Sequence, residues 1–248
     1  MSRVFVTGAG GRTGKLVLQK LRERSEFAEV KGLVRRQEQQ TELGEGVVLG
    51  DVLSPESWQQ ALAGCTHLVI LTSAVPKMRP TRNPDDPPEW FYEPGQEPEQ
   101  VDWIGQRSQI DLAAQAGVKQ VVLVSSMGVT KPDHPLNRIG NGKILFWKRM
   151  AEEYLANSGL AYTIIHPGGL IDQPGARREL LVGKHDQFMD DPSGPRTIPR
   201  ADVAEIVVRA LLHDEALNKS FDVVARQEGE GQPTSRWDAF FDAATPGI

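Results

Sequence analysis

The chain has 248 residues, 39% of them hydrophobic and 25% charged, a globular composition that excludes global disorder and suits one α/β domain. Its 28 basic and 33 acidic residues leave a net charge of −5, which disfavours a wholesale nucleic-acid binder. The single cysteine, Cys65, excludes an internal disulfide framework and fits a reducing compartment.

Short apolar runs alternate with helical patterns along the chain. Val4–Thr7 is the first run, and residues 12–24 then repeat Leu16, Val17 and Leu21 at helical spacing. Val30–Val34, Val47–Leu49 and Leu68–Leu71 follow as further strands. Residues 98–116 carry Val101, Ile104, Leu112 and Ala116 on one helical face, with Gly117 as the stop. Val121–Val124, a helix over 143–157, Tyr162–Ile165, a helix over 201–212 and Phe221–Val224 complete the pattern. Continuous apolar strands that alternate with amphipathic helices predict a Rossmann-type, doubly wound parallel sheet with helices on both faces. We read 1–248 as a single domain, with a nucleotide-binding core over about 1–166. Residues 167–248 then form a small substrate lobe with returning core elements, containing less sheet and more irregular chain.

Residues 76–98 break the rhythm. They hold Pro76, Pro80, Pro84, Pro87, Pro88, Pro94 and Pro98 together with Trp90, Phe91 and Tyr92. Proline fixes φ and removes a donor, so an irregular loop is expected. It is either a packed aromatic flap or a surface excursion. At the N-terminus, MSRVFVTGAGG enters a strand with no signal-type or transit-type segment. No apolar run reaches the roughly 18 residues of a membrane span. The expectation is a cytoplasmic protein without a membrane anchor.

The strongest local signal is Thr7-Gly8-Ala9-Gly10-Gly11-Arg12-Thr13-Gly14, between the first strand and the first helix. Glycines there let bare backbone approach a pyrophosphate, and the helix start offers free N–H groups. The frame is T-G-x-x-G-x-x-G, on Gly8, Gly11 and Gly14. The second strand ends at Arg35-Arg36, where NAD sites usually place a carboxylate for the ribose 2′-OH. A guanidinium suits a 2′-phosphate instead, and Arg12 is expected to face the same group; solvated surface arginines are the plain alternative. The cofactor expectation is therefore NADP(H) over NAD(H). Asp51 and Val52 are placed for the adenine edge, or Asp51 is a turn residue. Leu71, Thr72 and Ser73 end the fourth strand at the edge where ligands sit in open α/β sheets.

These residues resemble the short-chain dehydrogenase/reductase superfamily, in its extended and atypical branches. The resemblance continues through Val124-Ser125-Ser126 and Ile198-Pro199-Arg200-Ala201-Asp202-Val203-Ala204. It is closest to a plant and cyanobacterial group of atypical NADP-binding members, through ILTSAVPKM, PEQVDWIGQ, PDHPLN, GNGKILFWKR, RELLVGK and PRADVAE. The resemblance implies a Tyr-x-x-x-Lys pair on the helix after the fifth strand, with Tyr as acid or base and Lys on the ribose. Here Lys148 matches the Lys and Ile144 stands at the Tyr position. Ser125 is carried as the candidate hydroxyl, although the extended-branch register sets that place on Met127. His166, in His166-Pro167-Gly168, stands where the family often has Arg, and a histidine titrates near neutral pH. The expected site is then Lys148, Ser125 and His166 for chemistry, with Pro167 and Gly168 beside the cofactor. The plain alternatives are an exposed Lys148–Glu152 pair, worth about 0.2–0.5 kcal/mol, and a backbone-bonded His166. His134 is a further candidate for the pocket border.

Cys65 has no partner for a nucleophile role, and His67, His134, His166, His185 and His213 lack metal-ligand spacing, so no metal is expected. G-x-S-x-G and P-loop motifs are absent. Without the family Tyr, a simple ketone lacks its proton donor, whereas quinones, flavins, enones and linear tetrapyrroles delocalise charge. The first expectation is an NADPH-dependent reductase of such a small-molecule acceptor. The alternatives are a non-catalytic NADP(H) sensor or scaffold, and epimerase or dehydratase chemistry. Family members are monomers or homodimers.

Overall fold

The computed structural model describes residues 2–80 and 88–248; Pro84 and Pro87 of the expected flap lie outside them. The strands are β1 (Ser2–Thr7), β2 (Phe27–Val34), β3 (Val47–Leu49), β4 (His67–Ile70), β5 (Lys77–Arg79), β6 (Glu89–Phe91), β7 (Gln120–Val124), β8 (Ala161–Pro167), β9 (Gly169–Ile171), β10 (Leu180–Gly183), β11 (Thr197–Pro199) and β12 (Lys219–Ala225). The helices are α1 (Arg12–Arg22), α2 (Gln37–Leu43), α3 (Gln59–Leu62), α4 (Gln106–Gln115), α5 (Ile144–Ala156), α6 (Arg200–Ala210) and α7 (Trp237–Asp242). A π-helix, Glu99–Gly105, runs directly into α4.

The main sheet has the order β10-β12-β8-β7-β4-β1-β2-β3. Every pair is parallel except β10–β12. Successive side chains of β1 feed opposite faces, as strand geometry requires. Val4 and Val6 join Val17 and Leu21 of α1 and Val203 and Val207 of α6 in one core cluster. Phe5 joins Trp58, Ile110 and Leu155 in the other. Burying Val17, Leu18 and Leu21 of α1 contributes roughly 1.5–3 kcal/mol each, which fixes the start of α1 against the sheet. The strand order reverses between β1 and β4. Ligands of open α/β sheets sit outside the carboxyl ends of the strands at such a point.

Four elements depart from the sequence expectation. The helix over 98–116 opens as the π-helix, whose i→i+5 bonds leave no mark in an apolar period. Helix α2 buries no side chain, so it has no apolar stripe to read. The segment 76–98 is not wholly irregular, because β5 and β6 pair as an antiparallel hairpin and Tyr92 is buried behind it. Beyond residue 167, β10 and β12 return to the main sheet and α6 and α7 cover it. What stands apart from the main sheet there is the small β9–β11 pair and its connecting turns, less than the expected lobe.

Candidate cofactor and active site

The glycine loop is shaped by close backbone contacts. Gly8 has φ +71°, and a Cβ there would lie 2.8 Å from the Leu71 carbonyl carbon. The loops after β1 and β4 therefore touch, and only glycine fits. At Gly14 a Cβ would fall 2.1 Å from the Gly8 carbonyl oxygen, so α1 begins directly over the turn. Gly11 caps α1 without a side-chain hydrogen bond. Among the described residues, the backbone N–H groups of Arg12, Thr13 and Gly14 have no acceptor. Such a helix start is an anion site, and a dinucleotide pyrophosphate fits it. Gln39 of α2 braces the loop from outside, donating to the Gly10 carbonyl at 3.1 Å.

Beneath the loop, polar side chains hold the floor. Thr7 is fully buried and donates to Gln109 Oε1 at 2.6 Å. Gln109 in turn donates to the Thr72 hydroxyl at 3.2 Å, and Gln106 donates to the Thr72 carbonyl at 2.8 Å. The Thr7 hydroxyl is thus engaged from below rather than turned to a ligand, which corrects Thr7 as a direct contact. Leu71 and Ser73 remain at the carboxyl edge, half-buried. Val52 is buried in the apolar core. Asp51 accepts from Leu53 N at 3.0 Å, the turn role.

The two arginines reach different partners. Arg35 is exposed and contacts the Gln96 side chain. Arg12 pairs with Asp172 at 2.7 Å, and Asp172 also holds Arg200 at 2.7 Å. The expectation that both face one phosphate is corrected, since Asp172 draws Arg12 toward α6.

Lys148 is buried, and its ammonium lies 2.7 Å from Asp102 Oδ1. The other Asp102 oxygen accepts from Ala74 N at 2.9 Å. The exposed pair with Glu152, the plain alternative, does not form. Asp102, fully buried in the π-helix, was invisible to pattern reasoning, although an acid at a helix position surrounded by apolar neighbours is the signal that marks it.

Glu152 instead belongs to a buried row of charges. It accepts from the Ser125 hydroxyl and lies 3.1 Å from His166 Nε2. His166 Nδ1 lies 3.3 Å from Asp222 Oδ1. Neither contact aligns with a ring N–H as a full hydrogen bond, so both are ion pairs. Burial opposes the imidazolium charge, but Glu152 and Asp222 outweigh it and push the His166 pKa up to about 10. Burial raises the Glu152 carboxyl, yet His166, Ser125 and Arg149 hold it below its ordinary value. Two expectations are corrected. His166 is a locked cation rather than a proton source near neutral pH, and Ser125 spends its hydroxyl inward. Pro167 ends β8 and accepts from Met127 N at 3.1 Å. A Cβ at Gly168 would lie 2.4 Å from the Arg196 carbonyl. His134 accepts from Leu136 N at 3.2 Å and caps residues 135–141.

Ile144 packs with Ala74, Tyr92 and Val101. Beside this cluster the hairpin and residues 135–141 border a solvent-open cleft of about 700 Å³, lined by Trp90, Phe91, Tyr92, Glu97, Arg138 and Ile139 among others. No group on Ile144 exchanges a proton.

Residues 8–214 match the NAD(P)H-binding family. The chain belongs to that family, as an atypical short-chain dehydrogenase/reductase. It is 47% identical over 263 residues to the sanguinarine reductase of Eschscholzia californica, covering 98% of this chain and 96% of that protein. It is 52% identical over 246 residues to the chloroplastic Arabidopsis thaliana protein At2g37660, covering 98% of this chain and 75% of that protein. The solved structure of the anaerobillin reductase ChuY from Escherichia coli O157:H7 shares the fold, with a TM-score of 0.66, 19% identity, and coverage of 94% of this chain and 100% of that one. This atypical short-chain dehydrogenase/reductase is an NAD(P)H-dependent oxidoreductase. The cytoplasmic expectation is overturned by the chloroplastic relative. A strand that starts at residue 2 is a property of the folded domain and carries no cellular address.

Proposed function

We propose that the chain is an NADPH-dependent reductase of a small, planar, conjugated acceptor. The observation that carries this reading is Ile144 at the acid position of α5 while Lys148 is kept, buried and ion-paired. Losing a positioned acid typically costs about 10²–10⁴-fold, a loss that falls on plain ketones and spares acceptors that spread charge. The aromatic lining of the neighbouring cleft and the 47% identity to a sanguinarine reductase support it.

The bound cofactor supplies a hydride. The chain's own groups hold it. Gly8, Gly11 and Gly14, with the N–H groups of Arg12 and Thr13, cradle the pyrophosphate. Arg35 binds the 2′-phosphate, which sets NADP(H) over NAD(H). Lys148 meets the nicotinamide ribose, steadied by Asp102. The backbone of Leu71, Thr72 and Ser73 and the turn at Pro167 and Gly168 flank the nicotinamide half. Asp51 and Val52 border the adenine through the backbone.

The test is NADPH oxidation by the purified protein with quinones, flavins, enones and simple ketones. Turnover confined to conjugated acceptors and reduced in Lys148→Ala supports the proposal. Equal turnover on simple ketones overturns it.

A further inference from the structure

Tyr92, which follows the return arm of the hairpin, belongs to the cluster against which Ile144 packs. That cluster also holds Ala74 and Val101, and Tyr92 also lines the cleft described above. Tyr92 therefore stands between the vacated acid position and the space for an acceptor. Its ring is held by built features on a second segment. Gly140 has φ +53°, and a Cβ there would meet Tyr92 Cδ2 at 3.0 Å. At Gly142 a Cβ would meet Tyr92 Cε2 at 2.5 Å and Pro98 Cγ at 2.8 Å. The bare backbone of 140–142 is what lets the ring lie there. Burial, and then the nearby Asp102 charge, raise the phenol above its ordinary value. The hydroxyl accordingly keeps its proton.

Resting on the reductase reading above, we propose that Tyr92 is the hydrogen-bond donor of the acceptor site, supplied by the hairpin in place of the missing tyrosine of α5. On hydride addition the conjugated system takes up the hydride's electron pair and negative charge collects on its oxygen. Tyr92 stabilises the charge that develops there without giving up its proton, and water supplies the proton that completes the reduction. A fixed donor aimed at developing charge is typically worth about 10²–10³-fold in rate.

The experiment uses 1,4-naphthoquinone as the probe. Its affinity for the NADP⁺-loaded protein is measured by calorimetry, and its NADPH-dependent reduction is followed in parallel, for the parent chain and Tyr92→Phe. The phenylalanine keeps the ring packing, so a purely structural Tyr92 predicts no change in either readout. The expected result is about tenfold weaker quinone binding, turnover lower by about 10²-fold, and unaltered NADPH affinity. Adding Ile144→Tyr to Tyr92→Phe is expected to restore part of the turnover. Parent-like binding and turnover in Tyr92→Phe overturn the inference even where the reductase stands. Tyr92-dependent quinone binding by a parent chain that reduces nothing removes the reductase and leaves Tyr92 as the donor of the site.

Discussion

Lys148 and Asp102 form a buried ion pair at 2.7 Å that joins α5 to the π-helix and, through Ala74 N, to the loop after β4. Breaking a buried pair from one side leaves an uncompensated charge, at a cost of about 3–5 kcal/mol. Asp102→Asn is therefore expected to lower stability by that order in urea unfolding and to weaken NADPH binding. Asp102→Leu with Lys148→Met removes both charges. It is expected to recover most of the stability and none of the affinity, a separation read by unfolding and cofactor titration together.

Arg35 is exposed at the end of β2. A hydrogen bond to a charged group contributes about 1.5–3 kcal/mol. Arg35→Ala is expected to weaken NADPH binding by about 10–100-fold and to leave NADH binding unchanged. Equal losses for the two cofactors would remove Arg35 from the 2′-phosphate site.

Gly14 leaves no room for a side chain, since its Cβ would overlap the Gly8 carbonyl at 2.1 Å. Backbone cannot swing aside as a flexible side chain does. Gly14→Ala is expected to abolish measurable NADPH binding and to lower the thermal midpoint.

The row Ser125–Glu152–His166–Asp222 predicts a pH dependence of stability. The His166 pKa is raised in the folded chain to about 10 from 6.5. Its stabilising contribution is then full below about pH 6.5 and declines as pH rises toward 10. The Glu152 pKa is lowered from 4.5, so its contribution is full above that value and is lost as pH falls below it. Stability is expected to peak between the two limits. His166→Gln is expected to flatten the alkaline decline in urea unfolding followed from pH 6 to 10. An unchanged decline would place its origin elsewhere.

Much of this was legible in the residues. The runs now seen as β1, β2, β3, β4, β7, β8 and β12 are short and largely apolar, and the turn over Gly8, Gly11 and Gly14 announces the cradle. Side-chain partnership was not legible. Lys148 and Glu152 stand at i,i+4 spacing, yet the π-helix brings Asp102 to Lys148 and β8 brings His166 to Glu152. Tyr92 reads as one of three aromatics in a proline-rich stretch, and only the packing of residues 140–142 and Ile144 around it sets it apart from Trp90. Trp90 is 41% exposed on the cleft wall.

The most direct test of a reductase without a helix acid compares two acceptors on one ring skeleton, 2-cyclohexenone and cyclohexanone, with NADPH saturating. The expected kcat/KM is at least about 10²-fold higher for the conjugated enone, with both rates falling in Lys148→Ala. Comparable kcat/KM for the two acceptors would contradict it and require a proton donor that Ile144 does not provide.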